Sequence, residues 1–187
     1  ELCKIFNSKL IYTSTDLVYA GYRGSMLDEN AKLIPASLYA ETKLVGEKKI
    51  IEVFDNYILL RVSLLIGFGL NHSTNHFHNM YNDLKSGKTV KLFSDQFRTP
   101  LSLIEAANII SELINLECKG EIINLGGKER LSCLEIGEKL CDAAGFDKSL
   151  IIKTSMNDAH GTQQVADVSM NTNKLQSLGI KLNSFDE

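Results

Sequence analysis

Several features that mark specialised classes of protein are missing from this chain of 187 residues. It has no tryptophan, only two prolines and no apolar run near the ~20 residues needed to cross a bilayer. Lysine and arginine together number 20 against 23 aspartates and glutamates, so the net charge of −3 shows no basic excess. We therefore expect neither a membrane partner nor a nucleic-acid partner. The 44% of hydrophobic residues is enough for a globular core.

Metal-binding and disulfide patterns are also missing. The four cysteines form no Cys-x-x-Cys motif and match no histidine pair; they are Cys3, Cys118, Cys133 and Cys141. We expect reduced thiols in the core of a cytoplasmic protein, with no bound metal. His72, His76 and His78 lie close together but lack nearby cysteines or carboxylates, so we expect a partly solvated loop there.

Short apolar runs alternate with longer stretches of helical period, which predicts an α/β fold with helices connecting parallel strands. The predicted strands are Lys9–Thr13, Tyr57–Ser63, Thr89–Phe93, Glu121–Leu125 and Leu150–Lys153. The predicted helices are Ser37 to about Asp55, Asn75–Ser86, Ser102–Leu116, Ser132 to about Ala144, and a short one within Thr172–Gly179. Ser63–Thr74 is predicted to be a loop. No linker or repeat interrupts the pattern, so residues 1–187 are predicted to form one compact unit.

Polar side chains stand at the end of the first predicted strand. Ser14, Thr15 and Asp16 follow the apolar run directly. Ligands of open α/β sheets bind at the carboxyl ends of the strands, which makes these residues candidates for a binding site. The alternative is that they only form a turn, since short polar side chains bond readily to their own backbone.

A tyrosine and a lysine lie on one face of the first long helix. Tyr39 and Lys43 are four residues apart and share that face with Gly46. We expect this face of the helix to pack on the sheet. An ammonium close to a phenol stabilises the phenolate and lowers the pKa of a tyrosine from about 10, so that it can act as an acid or base. Tyr81 and Lys85 repeat the spacing, but no strand ending in hydroxyl residues precedes them.

The sequence resembles the extended short-chain dehydrogenase/reductase family, most closely its dTDP-4-dehydrorhamnose reductase branch, in the segments STDLVYAG, YAETKLVGEK, LLRVSLLIGFG, SDQFRTPLSLIEAANII and INLGGKERLS. The resemblance covers nearly the whole chain. It implies the C-terminal part of a Rossmann-like doubly wound parallel sheet with a small α/β substrate-binding region. Residues 1–66 and 88–125 would then belong to the Rossmann-like half, and 67–87 and 126–187 to the substrate-binding segments.

The resemblance also implies roles for individual residues. Thr15, Tyr39 and Lys43 correspond to the catalytic triad of the family, and Ser14 joins Tyr39 and Lys43 at the cofactor, NADP or NAD. The implied reaction is reduction of a nucleoside-diphosphate 4-keto-6-deoxy sugar. Leu17 stands where the related 4,6-dehydratases carry a glutamate, and because leucine cannot move a proton, dehydration is disfavoured.

Four residues are expected at the nucleotide-sugar substrate: Asp16, Asn75, Phe77 and Arg98. Arg98 lies in a loop that follows a predicted strand. Its guanidinium could bind a diphosphate through two hydrogen bonds, or else brace its own loop. Asn75, at the start of a predicted helix, could contact an anion there or simply cap the helix.

The sequence also departs from the family in lacking a Gly-rich phosphate loop. Gly21/Gly24 and Gly67/Gly69 approach that pattern but do not match it. Together with an opening that has no initiator methionine, this predicts a fragment that binds a dinucleotide weakly or not at all.

Two other functions of the family stay open. One is a nucleotide-sugar epimerase with the same triad, and the other is a non-catalytic subunit like the beta subunit of methionine adenosyltransferase. By analogy with the family, we expect a homodimer through the long helices Ala40–Phe54 and Ser102–Leu116.

Overall fold

The computed structural model describes residues 1–20, 24–69, 75–158 and 165–186. Its helices are α1 Leu2–Ile5, α2 Leu38–Val53, α3 His76–Lys85, α4 Leu103–Asn115, α5 Cys133–Ala144 and α6 Asn173–Ser177. Its strands are β1 Leu10–Thr15, β2 Tyr57–Val62, β3 Leu65–Ile66, β4 Val90–Phe93, β5 Phe97–Arg98, β6 Leu101–Ser102, β7 Glu121–Leu125, β8 Leu131–Ser132 and β9 Ile151–Thr154. Short 3-10 turns follow β1 and flank β9, at Asp16–Tyr19, Lys148–Leu150 and Met156–Asp158.

Three parallel strands form the main sheet in the order β1-β2-β7. Their register brings Thr15, Val62 and Leu125 side by side, so the carboxyl ends of all three strands meet at one edge. Strand β1 runs two residues beyond its predicted end. The parallel order and the helical connections confirm the predicted α/β fold.

Helices cover both faces of this sheet. On one face Ile58, Leu60 and Ile123 are fully buried and pack in a cluster with Leu113 of α4 and Leu175 of α6. Helix α2 packs on the other face, against β1 and β2. Because strand side chains alternate between the two faces, buried runs of this kind are typical of a parallel sheet that is covered on both sides.

Helix α2 carries the tyrosine and lysine singled out in the sequence. It begins where the Ser37 side chain accepts a hydrogen bond from the Ala40 N–H, as predicted from the capping serine. The expectation that Tyr39 faces the sheet is wrong, because its exposed fraction is 54%. The buried side of the helix includes Ala40 and Leu44 instead, which directly follow Tyr39 and Lys43 in the sequence. Tyr39, in the first turn, lies at the edge of that buried side.

A smaller layer is built from α3, α5 and the parallel pair β4-β9. Helix α5 begins with a capping box between Ser132 and Glu135 and ends at Gly145 in the left-handed conformation, close to its predicted bounds. The prediction that Arg98 lies in a loop is wrong, because it belongs to β5, which pairs antiparallel with β8. The prediction of one continuous loop over Ser63–Thr74 is also wrong, because β3 lies within it; residues 70–74 lie outside the described part.

All four cysteines are free, and Cys141 is buried. Within the described ranges, no group of three or more histidine, cysteine, aspartate or glutamate side chains could hold a metal ion. No helix in those ranges is long and apolar enough to cross a membrane. His76 and His78 lie in α3 rather than in a loop, and His72 falls outside the described residues.

Candidate functional site

A cavity of about 500 Å³ lies at the carboxyl ends of β1, β2 and β7. It brings together six of the eight residues that the sequence analysis assigned to a site: Ser14, Thr15, Asp16, Tyr39, Lys43 and Arg98. The rest of its described lining consists of Thr13, Ser63 and apolar side chains, among them Leu17, Val62, Ala106 and Ile110. The strand ends therefore place hydroxyl, carboxyl, ammonium and guanidinium groups around one space.

Thr15 and Asp16 form the turn that follows β1. The Thr15 hydroxyl accepts a hydrogen bond from the Leu17 N–H at 3.3 Å and donates to Asp16 Oδ1 at 3.2 Å. Both side chains are buried. The turn predicted as one alternative is therefore present, and the same two residues line the cavity.

Asp16 is paired loosely with Arg98 across the cavity. Burial raises the pKa of the Asp16 carboxyl to about 6, although the nearby Arg98 guanidinium and hydrogen bonds from Thr15, Leu17 and Ser63 oppose that rise. Arg98 Nε lies 3.9 Å from Asp16 Oδ2, and Arg98 Nη1 donates to the Phe97 carbonyl at 2.8 Å. Arg98 therefore bonds within its own strand rather than within the predicted loop, and it also faces the cavity.

Tyr39 and Lys43 stand at the side of the cavity formed by α2. Lys43 Nζ donates a hydrogen bond to the Thr13 carbonyl at 2.9 Å. The same ammonium lies 5.9 Å from the centre of the Tyr39 ring and 5.2 Å from that of the Tyr12 ring. A phenol, an ammonium and the Thr15 hydroxyl thus line one cavity, which is a set of groups able to donate a proton to an oxygen and stabilise the phenolate left behind.

Ser14 contributes a buried hydroxyl with an unused hydrogen-bonding capacity. Its side chain lines the cavity, and its oxygen has no hydrogen-bond partner among the described residues. Buried polar atoms are normally hydrogen-bonded, so this hydroxyl fits a polar group of a bound ligand.

The two remaining predicted residues lie elsewhere. Asn75 caps α3: its oxygen accepts from the His78 N–H at 2.8 Å, and its amide donates to the Gly67 carbonyl at 3.0 Å. The interpretation of Asn75 as a helix cap is therefore confirmed. Phe77 packs in the cluster of the smaller layer and lines separate cavities beside Ile136. A role for either residue in ligand binding stays a prediction.

A second, smaller cavity of about 170 Å³ adjoins the first. Arg98 and Leu64 line both cavities. Three basic side chains, those of His76, Lys91 and Arg98, line the small cavity, and its described lining contains no carboxylate. Such a lining favours an anion. Sequence reasoning missed Lys91 and His76, because no local motif connects them with Arg98.

Sequence reasoning also missed Ser63. It follows β2 as Asp16 follows β1, its hydroxyl bonds that of Thr99 at 3.1 Å, and it contributes a hydrogen bond to Asp16. The available signal was its position, since a polar residue directly after a buried strand is what drew attention to Thr15.

Comparison with known proteins identifies the family of this chain and several similar proteins. A family model described as the RmlD substrate binding domain matches residues 1–187. The probable low-salt glycan biosynthesis reductase of Haloferax volcanii is 28% identical over 152 residues, which are 79% of this chain and 50% of that protein. The methionine adenosyltransferase 2 subunit beta of Rattus norvegicus is 25% identical over 177 residues, or 91% of this chain and 52% of that protein.

A crystal structure shares the fold. The dTDP-4-dehydrorhamnose reductase from Bacillus anthracis, in complex with NADP, superposes with a TM-score of 0.84 at 22% identity, covering 95% of this chain and 62% of that chain. The chain spans about half the length of the curated relatives described above.

Proposed function

Since this chain belongs to the RmlD substrate binding domain family, we propose that the protein containing it reduces the 4-keto group of a nucleoside-diphosphate 6-deoxy sugar with NADPH or NADH. Family membership confirms the resemblance to the extended short-chain dehydrogenase/reductases. The observation that carries the proposal is the single cavity lined by Thr15, Tyr39 and Lys43.

The proton in this reaction comes from Tyr39. When bound, a nicotinamide dinucleotide supplies the hydride for the ketone carbon. Tyr39 donates its phenolic proton to the ketone oxygen, and the Lys43 ammonium stabilises the phenolate that remains. Thr15 donates a hydrogen bond to the same ketone oxygen. To do so, its hydroxyl gives up the long 3.2 Å hydrogen bond to Asp16.

The cavity fits the nicotinamide part of such a cofactor. The buried Ser14 hydroxyl, which has no partner among the described residues, suits the amide or ribose of that group. Tyr39 and Lys43 adjoin the same space and would contact the ribose.

The substrate diphosphate is assigned to Arg98. This guanidinium lines both cavities, so a phosphate bound to it lies between the sugar site and the basic cavity with Lys91 and His76. Asp16 then accepts a hydrogen bond from a sugar hydroxyl. Asn75 and Phe77 flank His76 in the chain, and we assign both residues to the nucleotide end of the bound substrate.

The experiment is a turnover assay with the full-length protein that contains this chain. Nicotinamide absorbance is followed with NADPH or NADH and dTDP-4-keto-6-deoxyhexose. The proposal predicts oxidation of the cofactor, and a fall of roughly 10²–10⁴-fold in kcat for Tyr39→Phe because the proton donor is lost.

The matched control for this assay is Tyr81→Phe. Tyr81 has the same spacing to Lys85, whose ammonium lies 5.7 Å from its ring centre, but it is outside the described lining of the cavity. Its kcat should stay near that of the wild type. A folded protein with bound cofactor and no turnover would contradict the proposal.

A second candidate is a non-catalytic subunit. The likeness to the methionine adenosyltransferase 2 subunit beta, over 91% of this chain, favours it. In that case Tyr39→Phe would leave every measurable function of the protein unchanged.

A further inference from the structure

The Lys43 ammonium lies close to two aromatic rings. It is 5.2 Å from the centre of the Tyr12 ring and 5.9 Å from that of Tyr39. Its hydrogen bond to the Thr13 carbonyl, at 2.9 Å, fixes it from the direction of β1. A lysine side chain has four flexible carbons, so one hydrogen bond leaves it free to swing, whereas a ring beneath the ammonium restricts where it settles.

Tyr12 is held in place by its own contacts. Its hydroxyl donates to the Lys43 backbone carbonyl at 3.4 Å, which ties the ring of β1 to the turn of α2 that carries the lysine. The opposing helix position is Gly46, where a Cβ would overlap the phenol oxygen of Tyr12. The absence of a side chain at Gly46 is therefore what lets the ring lie under α2.

The charges around this ring leave it neutral. Burial raises the pKa of Tyr12 above its usual 10, and Glu47 and Tyr39 raise it further. Glu47 is itself paired with Arg61 of β2 at 2.8 Å, so it competes little for the lysine. The titratable groups that act on the Tyr12 ring are thus Glu47 and Tyr39, with Lys43 over it, and Tyr12 remains a phenol at neutral pH.

We propose that Tyr12 is a positioning residue whose ring holds the Lys43 ammonium beside the Tyr39 phenol. Tyr12 is outside the described lining of the cavity, so it acts through Lys43 and not on a substrate. The proposal depends on the proposed function only for the task it gives to Tyr39. The role requires the ring of Tyr12. Its hydroxyl makes only a long hydrogen bond of 3.4 Å, so losing that bond should leave the ring in place against Gly46.

The test is a spectrophotometric titration of the Tyr39 phenol in the full-length protein, which needs neither cofactor nor substrate. The absorbance of each protein is corrected by its Tyr39→Phe counterpart, so that only Tyr39 contributes. Tyr12→Phe and Tyr12→Leu form the matched pair, because both lack the second phenol and only one keeps the ring.

The midpoint for Tyr39 should be the same in Tyr12→Phe as in the wild type and higher by roughly 0.5–1 pH unit in Tyr12→Leu, since the ammonium then spends less time beside the phenol. Tyr12→Met, which fills more of the vacated space, should behave like Tyr12→Leu and replaces it if that variant does not fold. Equal midpoints in the ring-containing and ring-free variants would overturn the proposal.

A double-variant cycle separates positioning from a general structural effect. In a Lys43→Met background, Tyr12→Leu should leave the Tyr39 midpoint unchanged, because no ammonium remains to be placed. A shift of the same size in that background would overturn the proposal. Turnover is measured separately: a wild type without activity contradicts the proposed reductase, while the titration still decides the role of Tyr12.

Discussion

Asp16 shows how the setting of one residue changes its chemistry. In the sequence it is an ordinary carboxylate after a strand, but in the structure it is buried beside Arg98, and its pKa rises to about 6. A raised pKa means that the folded state disfavours the charged form. The carboxylate therefore costs stability above pH 6, and this cost disappears below the unfolded-state pKa near 4.

Asp16→Asn should accordingly gain stability relative to the wild type as the pH rises. Between pH 4.5 and pH 7.5 the difference in free energy of unfolding between variant and wild type should move in favour of the variant by about 2 kcal/mol. Urea unfolding at a series of pH values measures it. A difference that is constant over this range would show that Asp16 does not titrate there.

Two residues show where sequence reasoning stops at this scale. The spacing of Tyr39 and Lys43 correctly predicts that they share a helix. The exposure of Tyr39 depends on where that helix crosses the strand ends, which the spacing along one helix cannot predict. The sequence allows two roles for Asn75: the structure confirms the helix cap, and a contact with a ligand stays a prediction.

Helix α2 is joined to the sheet by a buried ion pair. Arg61 of β2 donates from Nη2 to Glu47 Oε2 at 2.8 Å and from Nη1 to the Tyr19 hydroxyl at 2.7 Å. Tyr19 in turn donates to Asn124 of β7 at 3.0 Å. The network links the helix that carries Tyr39 and Lys43 to two strands of the sheet and to the turn after β1.

Arg61→Met should lower the free energy of unfolding by about 3–5 kcal/mol, because it leaves Glu47 buried without its partner. Denaturant unfolding measures the loss. The control is Glu52→Gln, which breaks the exposed Lys49–Glu52 pair on the same helix and should cost under about 1 kcal/mol. Similar losses in the two variants would show that the buried pair does not anchor α2.

The long elements were predictable and the strands of two residues were not. Strand β2 and helix α4 have enough residues for their periodicity to appear in the sequence, and a capping serine marks where α4 begins. Strands β5 and β8 have two residues each and exist because they pair with each other. That pairing, and not any local pattern, puts Arg98 at the edge of both cavities.

At the scale of the whole molecule, the main sheet has three strands in the described part of the chain. There β1 pairs with β2 on one side and with no strand on the other. The curated relatives are about twice as long as the matched region, and the crystal structure that shares the fold holds NADP. The sequence itself contains no Gly-rich loop to hold a pyrophosphate.

The 187-residue chain alone should therefore bind NADPH more weakly than micromolar. Backbone N–H groups of a Gly-rich loop at a helix N-terminus supply much of the phosphate binding in Rossmann folds. Calorimetric titration of the chain, with a cooperative thermal transition as proof of folding, measures the affinity. Micromolar binding would contradict the prediction and show that these residues suffice.

The most direct test of the proposed reaction follows hydrogen from the cofactor into the sugar. The full-length protein is incubated with a nucleoside-diphosphate 4-keto-6-deoxy sugar and with NADPH or NADH that carries two deuterium atoms at C4 of the nicotinamide ring, and the sugar is analysed by mass spectrometry. We expect a reduced sugar with one deuterium on its former ketone carbon, formed by the wild type and scarcely by Tyr39→Phe. An isomerised sugar of unchanged mass, or labelled product formed as fast by Tyr39→Phe, would contradict it.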